Sequence, residues 1–363
     1  MLSSVRLILA GSLLCVGLGF YWNTASVRGQ SPGTPPAESA PPTLEQAVRS
    51  AAQALATLEN ARPDDDRDAL STAAKQAIEG VKQVDPTTPW LHYLDAQWLA
   101  LTGRETDAIG RLRVFLETRE GRNEWRAFKL LGDLYVQQYP RLALAEYERA
   151  AALQPGEPGV LMGLSRCAGL LGQKDRAADL ARDAAAADGG RTLAYVDHLA
   201  RAMTSARRWH EAREASRDAL RLAEQACEPA PARRDALQVL DAQLKLAIDI
   251  LYLSAQKETE ARRLSESYVQ LADLGRRRAE NGIRLSAFDL LDVLEEGVRR
   301  AGSDASADLV ARYAVTLTDV GRTAEAITQF ERLLTLDPAS TLAAEHLERL
   351  RASAPSPPDA TRP

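Results

Sequence analysis

Aromatic side chains are scarce, 5% of 363 residues, which disfavours a β-rich fold because strand interiors draw on aromatic and β-branched residues. Cysteine is nearly absent: Cys15, Cys167 and Cys227 are too few for a disulfide framework, and the last two stand sixty residues apart. The four histidines, His92, His198, His210 and His346, are scattered without metal-ligand spacing. Positive charge is in deficit, with 45 Lys and Arg against 50 Asp and Glu for a net charge of −5. That is the wrong sign for a chain holding nucleic acid through its phosphates. What the sequence has instead is alanine, 63 residues, and leucine, 52. Both lose little on entering a helix, so the expected fold class is all-α.

One long apolar run stands at the amino terminus. Leu7 to Trp22 reads LILAGSLLCVGLGFYW and lies between Arg6 and Arg28, close to the ~20 residues a helix needs to span a bilayer core. Thr24-Ala25-Ser26 is a mediocre cleavage site, and Phe20, Tyr21 and Trp22 sit where an interfacial belt would anchor the outer end. Cys15 follows bulky Leu13 and Leu14, which argues against lipidation. Residues 1–29 are therefore expected to be an uncleaved signal anchor, a single-pass membrane helix, with the bulk of the chain extracytoplasmic. Residues 30–42 (QSPGTPPAESAPP from Gln30) form a Pro-rich linker, and 353–363 a tail of similar composition.

The body, 43–352, repeats itself. Amphipathic stretches stop at one device three times, at Asp85-Pro86, Gln154-Pro155 and Asp337-Pro338. From Ala307 the chain places Val310, Tyr313, Ala314, Leu317, Gly321, Ala326, Phe330, Leu333 and Pro338 at positions 4, 7, 8, 11, 15, 20, 24, 27 and 32 of a 34-residue unit. This resembles the tetratricopeptide repeat at each diagnostic position. The same frame fits 158–191 through Leu161, Leu164, Ser165, Ala168, Gly172, Ala177, Ala181 and Ala184. It fits 125–157 with one residue fewer in the turn, 89–122 through Gly103 and Ala108, and 193–226 with Arg207 in place of the turn glycine. Residues 234–302 are helical without the signature: one long helix through Leu237, Leu240, Leu244, Ala247 and Leu251, then Glu258–Arg278 and Leu285–Arg300. A first hairpin is expected over Leu44–Leu58 and Arg67–Val84, with Asp64, Asp65 and Asp66 as its helix-start signal, and Ser340–Ala352 is placed to cap the array. The resemblance implies an α-solenoid of antiparallel helical hairpins.

Catalytic constellations fail on inspection. His210-Glu211 opens like a zinc-protease motif, but Glu214 stands where the second histidine belongs. Gly163-Leu164-Ser165-Arg166-Cys167 lacks the final glycine of a nucleophile elbow, and Ser165 holds a packed repeat position. Ser254-Ala255-Gln256-Lys257 matches a four-letter pattern with no Lys-Thr-Gly partner. No catalytic residue, metal, cofactor or small-molecule substrate is expected, and the chain reads as no enzyme. Cys167 is expected to fill core, and Arg276-Arg277-Arg278 and Arg207-Arg208-Trp209 to be solvated basic faces.

In the resembled family, positions 2, 5, 9, 12 and 13 of each first helix line the inner surface. Here they include Arg126, Lys129 and Asp133, then Met162 and Arg166, then Asp197 and Arg201. The candidate partner-binding residues are Arg126, Lys129, Arg166 and Arg201, a cationic set in an acidic chain that suits the carboxylates of an acidic protein or peptide. The Lys and Asn clamp of the family's chaperone-binding members is absent, since Asp133 holds the second position. The expected function is a membrane-tethered scaffold for protein partners in a bacterial cell envelope. Two alternatives stay open: a soluble secreted binding protein after cleavage, and an enzyme-associated module acting through 234–302.

Overall fold

Helices end where the sequence places its stops. In the computed structural model, which describes residues 42–62, 65–227, 234–280 and 290–353, α2 (Arg67–Val84), α7 (Pro140–Leu153) and α16 (Thr323–Leu336) each finish one residue before the residue that precedes proline. Asp85, Gln154 and Asp337 are extended there, because the proline ring excludes the helical conformation from the residue before it. The expected anchor, 1–29, and almost all of the linker and tail lie outside the described residues. Among the described residues no helix is long and apolar enough to cross a membrane.

All regular structure among the described residues is helical, and the chain divides into two compact units at Ala206/Arg207. The first holds α1 (Leu44–Glu59), α2, α3 (Trp90–Leu101), α4 (Glu105–Glu117), a single turn α5 (Arg119–Arg122), α6 (Trp125–Tyr135), α7, α8 (Pro158–Leu170), α9 (Lys174–Asp188) and α10 (Leu193–Ser205). Packing pairs α1 with α2, α3 with α4, α6 with α7 and α8 with α9, and α10 lies along α9. Thr43 opens α1 with a reciprocal cap, its hydroxyl accepting from Gln46 N–H while Gln46 Oε1 accepts from Thr43 N–H. Asp66 caps α2 by accepting from the N–H groups of Asp68 and Ala69.

The repeat frame is visible in the packing. Gly103 and Gly172 end their helices at φ of +80° and +79°, and the next N–H bonds back across the turn, Arg104 to Leu99 O and Gln173 to Ala168 O. That closure needs a left-handed residue, which glycine supplies without steric cost. Small residues expected at helix contacts are sealed: Ala108, Ala143 and Ala177 are buried, and Ser165 is buried with its hydroxyl donating to Ala177 O at 2.7 Å. Tyr147 is fully buried between Gly132 and Gly163. Cys167 fills core beside Leu164 and Val160, and burial pushes its thiol up to about 11, away from reactivity at neutral pH.

The second unit holds α11 (Trp209–Cys227), α12 (Arg234–Ala255), α13 (Ala261–Glu280), α14 (Leu290–Ala301), a short 3₁₀ turn at Gly302–Asp304, α15 (Ala307–Asp319), α16 and α17 (Thr341–Ser353). The three helices expected over 234–302 are present, and α13 packs with α14 as a hairpin, Gly297 admitting the buried ring of Tyr268. Gly321 repeats the left-handed turn at φ +80° between α15 and α16. The carboxy-terminal helix α17 lays Ala343, Leu347 and Leu350 onto α16.

The stretch 193–226 spans the division between the units, α10 closing the first and α11 opening the second, with Arg207 at the boundary in left-handed backbone, φ +59°.

Candidate partner-binding surface

In the first unit, the leading helix of each hairpin also touches the leading helix of the next: α1 meets α3, α3 meets α6, α6 meets α8 and α8 meets α10. That row is the tight side of the array, and the polar residues it leaves uncovered form its inner face. All four candidate cations lie in this unit, three of them with acidic partners of their own.

Arg126 is half-exposed, 3.3 Å from Glu124 and stacked over Trp125 with its guanidinium 4.6 Å from the ring centre. Arg201 is exposed and holds Asp197 at 2.8 Å, one helical turn away. Lys129 is nearly buried, its side chain 13% exposed, with Nζ 2.8 Å from Asp133 Oδ2. The other oxygen of Asp133 accepts from the Tyr147 hydroxyl at 2.6 Å. The lysine stem crosses to α8 where Gly159 leaves room, since a β-carbon there would stand 2.9 Å from Lys129 Cε. Lys129 is thus part of a buried polar chain that ties α6 to α7.

Arg166 differs from these. It is half-buried on α8, and among the described residues no carboxylate lies within ion-pair distance of it. Its neighbour His198 on α10 cannot share the positive charge. His198 Nε2 lies 2.8 Å from Ser165 Oγ, whose hydrogen goes to Ala177 O, so the imidazole donates in that contact. Burial first, and then repulsion from Arg166, pull the imidazole down to about 4, leaving it neutral at physiological pH. The same geometry denies Ser165 a nucleophile's role: it is buried, with its proton committed to a carbonyl.

Glu59, at the end of α1, was not singled out from the sequence. Burial lifts its carboxyl to about 7, with Asp133 raising it further and Lys129 opposing. Tyr93 of α3 stands beside it and is pushed up from its ordinary value by burial, while its hydroxyl accepts from Gln97 Nε2 at 3.1 Å. The first hairpin carries no repeat signature, so no frame assigned Glu59 a position.

The other motifs resolve as ordinary helix chemistry. His210 and Glu214 form an exposed pair at 3.6 Å on α11, and Ser254 is buried with its hydroxyl on Leu251 O. Arg277 is ion-paired with Glu224, and Arg276 is exposed. Among the described residues no three His, Cys, Asp or Glu side chains converge as a metal site.

No family model matches the chain, and no curated protein matches it. Solved structures do. The chain is similar to a thermophilic TPR protein of Thermus thermophilus at 20% identity and a TM-score of 0.42, over 56% of this chain and 99% of that one. It is similar to the C-terminal part of a TPR repeat-containing protein of Cytophaga hutchinsonii at 13% identity and a TM-score of 0.44, over 83% and 99% of the two chains. The Pseudomonas aeruginosa protein PilF matches at 14% identity and a TM-score of 0.44, over 66% and 96%.

Proposed function

We propose that this array of tetratricopeptide-like hairpins is a membrane-tethered scaffold that captures an acidic protein segment on the inner face of its first unit. Arg166 carries the reading. A half-buried guanidinium without a carboxylate partner is costly to keep, and a partner carboxylate would satisfy it through two parallel hydrogen bonds. Arg126 and Arg201 flank it with weaker, already paired charge. The tether rests on the run from Leu7 to Trp22 and its aromatic end.

Fluorescence anisotropy with a labelled Asp- and Ser-containing peptide tests the capture. Arg166→Glu is expected to weaken binding at least about tenfold, the scale of one charge-assisted pair, and binding is expected to fall as salt rises. Arg276→Glu, on α13, is the matched control. Equal losses in both variants would remove the inner face as the binding surface. For the tether, amino-terminal sequencing of the mature protein and alkaline extraction of membranes decide: a new start near Val27, or release into the wash, would defeat it.

A further inference from the structure

Most of α8 is covered by its neighbours. The face that carries Arg166 is closed over the first half of the helix, where Met162 clusters with Tyr195 of α10 and Gly163 lies against the Tyr147 ring. From Arg166 onward the same face is open. Gly169 and Leu170, three and four residues further on, are both exposed, Leu170 by 55%. Residues at those intervals are neighbours on a helix surface, ~5–6 Å between β-carbons, so guanidinium and leucine form one continuous patch. Gly169 leaves bare backbone between them: a β-carbon there would meet only Ala177 Cβ, at 3.9 Å. Leu170 also stands out from its row, because the corresponding residues of the neighbouring repeats are the exposed polar Gln137 and Ser205.

We propose that Arg166 and Leu170 form a two-point seat for an extended protein segment that carries a carboxylate and a large aliphatic side chain two residues apart. This rests on the reading of the inner face as a capture surface, and it names what the captured segment contains besides acid. The sign of the first point follows from the charges around it: Arg166 has no carboxylate within ion-pair distance among the described residues, and the neighbouring Arg201 is already paired with Asp197. The second point is apolar, since covering Leu170 with an aliphatic side chain takes both out of water. The spacing follows from backbone geometry. An extended chain rises ~3.3 Å per residue and turns alternate side chains to one side, so residues i and i+2 stand ~6.6 Å apart, close to the separation of the two points on α8. Adjacent residues face opposite ways and cannot fill both. The bare backbone at Gly169 lets the segment's main chain lie close between the two contacts.

The test uses the intact protein and three labelled peptides of equal length and charge, with Asp-Ser-Leu, Asp-Ser-Ser or Asp-Leu-Ser at the centre of a Ser and Gly background. The native protein should bind Asp-Ser-Leu at least about fivefold more tightly than either of the others, the scale of burying one aliphatic side chain on another. Leu170→Ser should abolish that preference and leave the affinity for Asp-Ser-Ser unchanged. Leu142→Ser, a leucine of similar exposure (53%) on α7, should keep it. A preference that survives Leu170→Ser, or equal affinity for Asp-Ser-Leu and Asp-Leu-Ser, overturns the two-point seat. Equal binding of all three peptides that is lost in Arg166→Glu leaves the capture surface standing and removes the seat alone. If none of the three binds, the capture surface and the seat fall together.

Discussion

The ring of Tyr147 occupies the space that a side chain on Gly163 would need: a β-carbon there would stand 2.3 Å from the ring, and one on Gly132 2.9 Å. A second-helix aromatic is clasped by the first helix of its own hairpin and of the next. Gly163→Ala should accordingly destabilise the first unit by about 1–3 kcal/mol through overpacking. Gly110→Ala on α4, where nothing lies within 4 Å, should instead stabilise by ~0.5–1 kcal/mol through helix propensity. Thermal melts of the two variants moving in the same direction would contradict this packing.

Much of the hairpin pattern was legible because its determinants are local. A left-handed glycine, a proline after the last turn and small residues three or four apart act within one helix or one turn, so Gly172, Pro155 and Ala177 could be placed from the sequence. The division at Ala206/Arg207 was not legible, because the apolar spacing of 193–226 still fits the repeat frame apart from Arg207 at the turn, and unit boundaries depend on contacts between elements. The candidate cations were found as a set, but their differences were hidden. Nothing in the spacing of Lys129 and Arg166 reveals that one is spent on Asp133 and the other is left without an acid. Glu59 lay further out of reach, since the burial that perturbs it is set by tertiary packing and not by local spacing.

Arg207 adopts φ +59°, the left-handed backbone that Gly103, Gly172 and Gly321 adopt at the turns within hairpins. Left-handed backbone costs a side-chain-bearing residue roughly 1–2 kcal/mol, partly offset by the greater freedom glycine brings to the unfolded chain. Arg207→Gly should stabilise the protein by about 0.5–1 kcal/mol in urea unfolding, and Gly321→Ala should destabilise it by ~1 kcal/mol. A loss of stability in Arg207→Gly would mean that the arginine side chain contributes more than its backbone costs.

Glu59 also sets a pH dependence of stability. Below its ordinary value of 4.5 the carboxyl is neutral in both folded and unfolded chains; between there and about 7 the folded chain keeps a proton that the unfolded chain has lost. Stability from this group is therefore lost as pH rises through that window. Glu59→Gln should match the native protein at pH 4 and exceed it at pH 8 by about 1–2 kcal/mol, a figure reduced for solvent screening at a partly exposed group. Denaturant midpoints at the two pH values measure the difference, and a variant offset that is the same at both would show that Glu59 titrates normally.

Lys129 and Arg166 should separate stability from capture. Lys129→Met leaves Asp133, which still accepts from Tyr147, without its nearly buried ammonium, and should destabilise the first unit by roughly 1–3 kcal/mol. Arg166→Met removes a guanidinium that has no acidic partner, so folding loses no ion pair and the melting temperature should stay level or rise. Capture should follow the opposite order. Arg166→Met should weaken an acidic peptide by at least about tenfold, because the partner carboxylate loses its paired donors. Lys129→Met should weaken it only to the extent that the unit is unfolded at the assay temperature, so cooling the assay should restore binding to this variant and not to Arg166→Met. Stability and binding falling together in both variants would mean that the inner-face cations act as one structural network and that the first unit offers no separate seat for a partner's carboxylate.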